Sequence, residues 1–346
     1  MDSIAGLAFV KERVTARILT PDGVETDRPI EIRTHPVTGR RCRITFSRSA
    51  EKEAGTRHLP DPPPHAGRTD RCPFCRPQRD SQTPQFPPDF HVTGRMVNGQ
   101  SVLFPNLFPY ARYSAVSLFG EKHFVEIGTA SAGSYHDCFL NCAAFLQRVR
   151  QTDPAAVYMG IAQNHLPSAG GSLLHPHLQV HADRIAPNHH RFLDRRTRAY
   201  RDTIGLNLFS ELLKHERDDG ARIIGRTGNW DWLAAFAPEG FYEIWGILPG
   251  RTSLLALAAG EWEGLAQGVV NAQRFYRSLC RNGYNFGLLA VEGEDSALEL
   301  RAVMLVRSNY DAWVRNDHTS FETMLGDMAT FHAPEETARL ARPFWQ

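Results

Sequence analysis

The sequence predicts an α+β protein made of two similar halves that arose by internal duplication. Three observations carry this expectation. A strand–helix–strand–loop–strand order occurs twice along the chain. Both helices show apolar residues at helical spacing, whereas the flanking segments alternate as strands do. The 346 residues also suffice for two domains of ordinary size, and 42% hydrophobic with 22% charged residues is the mixture of a soluble globular chain.

Residues 1–30 are mixed and predict a strand with an irregular lead-in. His35-Pro36-Val37-Thr38-Gly39 suits a tight turn, and Arg41-Cys42-Arg43-Ile44-Thr45-Phe46 alternates like a half-buried strand. Residues 59–90 are rich in proline and charge, which predicts a long surface loop needing a staple or a function. Ser114–Phe119 is a strand, and a helix over 131–150 places Tyr135, Cys138, Phe139, Cys142, Phe145, Leu146 and Val149 on one face. Ala156–Ala162 is a second strand, Ser168-Ala169-Gly170-Gly171-Ser172 a loop, and Leu174–Ala182 a third strand.

The order then returns. Phe241–Leu248 is a strand, and 260–281 a helix with Trp262, Leu265, Val269, Phe275, Tyr276 and Leu279 inward, closed by Asn282-Gly283. Phe286–Val291 and Leu298–Val306 are strands around a short loop. The boundary falls near 190–215, where His189-His190-Arg191 opens a basic helix, which divides the chain into domains 1–190 and 191–346.

A formal net charge of +1 gives no reason to expect a nucleic-acid or membrane partner, so any bound anion needs a local site. No apolar run has membrane-spanning length and the N-terminus lacks a signal pattern, which predicts a cytoplasmic protein. Six unevenly placed cysteines are no disulfide scaffold, and Cys138 and Cys142 fit the buried face of their helix.

Chemistry concentrates in the first half. His175, His177, Gln179 and His181 alternate, so all four share one face of a strand, and such a row does not make a core face. The second-half counterpart, Leu298 to Met304, carries no histidine. An imidazole is a competent nucleophile at phosphorus near neutral pH. Pro176 removes a ladder N–H, which predicts an edge strand or a local break. Gly170-Gly171-Ser172 leads directly into the strand and can bring backbone N–H groups and a hydroxyl to an anion. Cys72-Pro73-Phe74-Cys75 lies in a proline-rich loop rather than at a helix start, so zinc suits it better than redox chemistry. Two thiolates are half a tetrahedral site, and His123 and His175 are candidates to complete it. Arg48 is a candidate phosphate clamp.

Taken together these residues resemble the galactose-1-phosphate uridylyltransferase branch of the histidine-triad superfamily. The resemblance rests on Gly170-Gly171-Ser172-Leu173-Leu174-His175-Pro176-His177-Leu178-Gln179, with Asn164 upstream and the Cys-x-x-Cys pair, Phe104-Pro105-Asn106-Leu107-Phe108, His123 and Arg48 in family order. It covers about 30–345 and is strongest in the first half. It implies two histidine-triad-like halves, each an antiparallel sheet with packed helices. It implies His177 as the nucleophile on a nucleotide α-phosphorus, Gln179 on a phosphoryl oxygen, and Ser172 and Arg48 on phosphate charges. Asn106 and Phe108 would line the nucleoside pocket, while Cys72, Cys75, His123 and His175 would bind a structural zinc. A nucleotide donor, a phosphorylated small-molecule acceptor and a homodimer are implied as partners. The chain departs from the family at Leu107, where an acidic residue is usual, and at His181, where a tryptophan is usual. The second half lacks the paired histidines of a further metal site, and 316–339 lacks the usual sugar-contacting lysine and glutamine. The expected activity is nucleotidylyl transfer between phosphorylated compounds of the nucleotide-sugar type. The alternatives are a phosphorylase of nucleotide anhydrides that takes inorganic phosphate, and a non-catalytic nucleotide-binding protein, which would have no need of an unliganded His177.

Overall fold

The structure, a computed structural model, describes residues 6–45, 58–311 and 316–346. Ten strands form one continuous sheet: β4 (Met96–Asn98), β5 (Ser101–Pro105), β6 (Tyr113–Leu118), β7 (Tyr158–His165), β8 (His177–Asp183), β9 (Ile223–Thr227), β10 (Trp230–Ala234), β11 (Phe241–Ile247), β12 (Tyr284–Val291) and β13 (Arg301–Val306). Their spatial order is β4-β5-β6-β8-β7-β12-β13-β11-β10-β9. Read outward from the middle, both halves have the same plan: three meandering strands, a helix, then two strands inserted beside the third. The duplication is therefore visible in the topology. The two antiparallel halves fuse where β7 and β12 pair antiparallel from Tyr284↔His165 to Val291↔Tyr158.

The two crossover helices, α2 (Ala132–Thr152) and α5 (Ala259–Ser278), lie on one face of this sheet. The predicted apolar face of α2 is buried in full, and Phe139 stacks on Trp262 of α5 at 5.7 Å. Ser131 caps α2 by accepting from the Ser134 N–H at 3.1 Å, a contact that contributes about 1 kcal/mol. Helix α5 ends before the predicted Asn282-Gly283 stop: Cys280 takes the left-handed position, with φ 55. Gly283 instead permits close approach, because a Cβ there would meet Ser308 O at 2.7 Å.

On the other face lie α3 (Asn188–Ile204) and α4 (Leu208–Asp219), whose Leu193, Leu208, Phe209, Leu212 and Leu213 pack with Trp245 and Leu298. A second, four-stranded sheet has the order β1-β2-β3-β14, from β1 (Val10–Leu19), β2 (Glu25–Thr34), β3 (Arg41–Thr45) and β14 (Met328–Thr330), the last parallel to β3. The hairpin β1–β2 replaces the expected irregular lead-in. Strand β1 is exposed along its whole length, so it carries no buried-face alternation to read. The C-terminal helix α6 (Pro334–Ala341) locks the two sheets together: Glu335 bonds Arg33 of β2 at 2.7 and 2.9 Å and Arg222 at 2.8 Å.

The proline-rich stretch is less solvated than predicted. It holds one short helix, α1 (Gln78–Gln82), and buries Cys72, Cys75, Arg79 and Phe86. Among the described residues no helix is long and apolar enough to cross a membrane.

Candidate active site

Strand β8 lies between β6 and β7, inside the sheet rather than at an edge. Pro176 stands just before its first ladder residue, so no ladder N–H is missing, and its carbonyl accepts from the Phe119 N–H at 3.2 Å. Leu178, Val180 and Ala182 point to the helical layer and are fully buried. His177, Gln179 and His181 take the opposite face by alternation.

The four expected metal ligands come together. The donor atoms of Cys72, Cys75, His123 and His175 all lie within 4.8 Å of one another, and Cys75 Sγ is 3.3 Å from His123 Nδ1 and 3.4 Å from His175 Nδ1. Tetrahedral zinc with ordinary S and N bond lengths would separate such atoms by about 3.5 Å. His175 is fully buried, and its Nε2 donates to Gly120 O at 2.9 Å. That bond leaves the Nδ1 lone pair facing the thiols, as in a metal-binding histidine held by a carbonyl on its other ring nitrogen. Burial and the neighbouring Cys72 push the Cys75 thiol up to about 12, so two thiolates here call for a cation. The residues fit a zinc-sized dication.

His177 is 7% exposed, and its Nδ1 bonds the His175 carbonyl at 2.8 Å. The Nδ1 proton is thereby fixed, and Nε2 carries the free lone pair. Burial lowers its pKa below the usual imidazole value, so the ring is neutral at neutral pH. Phe74, inside the Cys-x-x-Cys, packs edge-on against His177 at 5.3 Å and against His175 at 6.1 Å. The cysteine loop thus holds the histidine ring directly, a contact no motif signalled.

Gly170 takes φ 88, and Gly171 is required by close approach: a Cβ there would meet Asn164 O at 2.6 Å. Ser172 is exposed beside them. Asn164, at the end of β7, accepts at Oδ1 from Asn285 Nδ2 at 2.7 Å. Asn285 also donates to Ala169 O at 2.9 Å and accepts from Arg307 Nη1 at 3.0 Å, while Asp317 holds that guanidinium at 2.6 and 2.9 Å. This chain of second-half residues braces the first-half loop. Sequence reasoning missed it, since the pairing of β7 with β12 creates it. Asn106 turns back to accept from the Phe108 N–H at 3.1 Å, and Phe108 is 76% exposed. Arg48 lies outside the described residues. His181 has a packing role: it covers Gly160, where a Cβ would come within 2.5 Å of its ring, and burial pushes it down to about 4.

No protein-family model matches this chain. A protein of Archaeoglobus fulgidus described as uncharacterized is 27% identical over 339 residues, covering 98% of this chain and 99% of its own. Among solved structures, a GalT-like protein from Arabidopsis thaliana superposes with a TM-score of 0.68 at 18% identity, covering 90% of this chain and 98% of that one. An ADP-glucose phosphorylase from Arabidopsis thaliana with bound ADP-glucose gives 0.67 at 18% identity, with the same coverage. A uridylyltransferase gives 0.66 at 18% identity, covering 91% and 98%.

Proposed function

With the fold of the galactose-1-phosphate uridylyltransferase-like proteins as premise, we propose that this chain is a nucleotidylyltransferase working through a nucleotidylated His177. The observation that carries the proposal is the His177 ring itself: Nδ1 tied to the His175 carbonyl, burial favouring the neutral form, and Nε2 left with its lone pair. In the first step Nε2 attacks the α-phosphorus of a nucleotide donor. The Nε2–P bond forms, the P–O bond to the distal phosphate breaks, and that phosphate leaves with the electron pair. In the second step a phosphate oxygen of the acceptor attacks the same phosphorus, the N–P bond breaks, and His177 returns to the neutral form.

Gln179, one position along the same face, is assigned to a phosphoryl oxygen of the intermediate. Ser172 and the backbone of Gly170 and Gly171 are assigned to the departing phosphate, with Asn164 and Arg48 completing the phosphate contacts. Asn106 and Phe108 are assigned to the nucleoside. Cys72, Cys75, His123 and His175 would hold zinc, which supplies no bond-making chemistry but fixes the backbone carbonyl that orients His177. In this proposal the protein works as a homodimer.

The acceptor is a phosphorylated small molecule. A sugar 1-phosphate is the first reading, and inorganic phosphate the second, favoured by the likeness to a structure named as an ADP-glucose phosphorylase. Initial rates with a panel of nucleoside diphosphate sugars and dinucleoside polyphosphates against sugar 1-phosphates and inorganic phosphate test both. Parallel double-reciprocal lines are expected for the productive pair; intersecting lines, which mean a ternary complex, would contradict a covalent intermediate.

A further inference from the structure

The sheet face that carries Gln179 continues into the second half. Gln179 pairs with Ala162, Ala162 with Gly287, and Gly287 with Val303, and directly paired residues share a face. Over Gly287 lies a cavity of about 190 Å³. Its walls are mostly apolar, from Leu193, Leu289, Leu298, Val303 and Leu305, and the carboxyl groups of Glu239, Glu243 and Glu299 line it as well. A Cβ built on Gly287 would meet nothing within 4 Å, so the glycine leaves the space open.

Arg301, the first residue of β13, lines this cavity and is 9% exposed. Its guanidinium lies 4.1 Å from the Trp245 ring centroid and 5.0 Å from that of Phe209, so aromatic rings take up its flat faces. Among the described residues its side chain makes no hydrogen bond and no ion pair within 4.0 Å. The carboxyl groups that line the cavity have other donors: Glu299 accepts from the Ser210 N–H at 2.8 Å and the Gly250 N–H at 2.7 Å. Glu243 accepts from Trp245 Nε1 and the Glu239 N–H, both at 2.5 Å, and Glu239 accepts from Thr38 Oγ1 at 3.0 Å. Burial and Glu239 push Glu243 up to about 7, which weakens its claim on the arginine. His35 adds a second donor: its Nδ1 accepts from the Val37 and Thr38 N–H groups at 3.1 Å each, which keeps the ring proton on Nε2 at the cavity wall.

A buried guanidinium with an unused edge is costly unless an anion meets it. The edge offers paired N–H groups to a planar carboxylate. A phosphate would leave oxygens against leucine side chains. An apolar cavity of about 150 Å³ holds benzene, so this one has room for a ring or short chain beside the carboxylate. We propose that the second half carries a binding site for a small monocarboxylate with an apolar body, the carboxylate on Arg301 and the body over Gly287. None of the residues that line it is assigned to the His177 site, so the proposal does not depend on the reading of that residue.

Isothermal titration of the full-length protein with benzoate, hexanoate, benzyl alcohol and inorganic phosphate tests the site. One of the two carboxylates should bind saturably at one site per chain. Gly287→Val, which fills the open space with a residue suited to a strand and leaves Arg301 in place, should weaken that binding about tenfold or more. Arg301→Gln should do the same, and Gly287→Val keeps the test open if Arg301→Gln does not fold. Failure of both carboxylates to bind would overturn the proposal. So would unchanged affinity in Gly287→Val, or equal affinity for benzyl alcohol or inorganic phosphate.

Discussion

His177 shows how little a residue's type decides without its bonds. Fifteen histidines occur in the chain, and several are buried. His190 spends its Nε2 on Met159 O, and His181 covers a glycine. Among the described histidines, His177 alone combines a glycine-rich loop leading into its strand, a fixed Nδ1 proton and the Phe74 contact. Asn285 supplies a test at this scale. Asn285→Ala removes the bonds to Asn164, Ala169 and Arg307 and should cost about 1–3 kcal/mol of stability. Turnover should fall by about tenfold or more, because the loop at 170–172, proposed to hold the departing phosphate, loses its brace. Steady-state kinetics beside a denaturant melt separates the two effects, and an unchanged kcat would remove Asn285 from the positioning network.

At the scale of elements, what could be read from the sequence follows what each element buries. Helices α2 and α5 were legible because each sets one apolar face against the sheet, and β8 because histidine alternation is rare in a core strand. The hairpin β1–β2 was not legible, since β1 buries nothing along its length. The interior position of β8 was missed because Pro176 was counted within the strand, whereas it precedes the ladder. The Cys-x-x-Cys loop was legible as half of a site, and its contact with His177 through Phe74 was not, because the fold alone brings 74 and 177 together. Metal analysis should find about one zinc per chain. Cys75→Ser should lose the metal and loosen the stretch around 72–83, giving faster amide exchange there than in α2. Full zinc content in Cys75→Ser would contradict the ligand assignment.

At the scale of the molecule, duplication produced one sheet whose single face carries two unlike chemistries: histidines on β8 and a lone arginine on β13. The terminal segments tie this sheet to the smaller one through Glu335. Burial alone would raise the Glu335 pKa, but Arg33 and Arg222 overcome it and hold the carboxyl down at about 2, against 4.5 in its absence. Its stabilising contribution is therefore complete above pH about 4.5 and lost as pH falls through about 2. Glu335→Gln leaves two buried guanidiniums without their shared partner and should destabilise the neutral protein by roughly 3 kcal/mol. In urea melts the gap between wild type and variant should close as pH drops through that window. A gap independent of pH would mean the ion pairs contribute little.

The proposed mechanism requires a covalent bond to one atom, His177 Nε2. Intact-mass spectrometry after incubation with single nucleotide donors reads it most directly. The protein should gain the mass of one nucleoside monophosphate, labile to acid, mapped to the peptide that contains His177 and absent from His177→Gly. No adduct with any donor, or an adduct that persists in His177→Gly, would contradict the account.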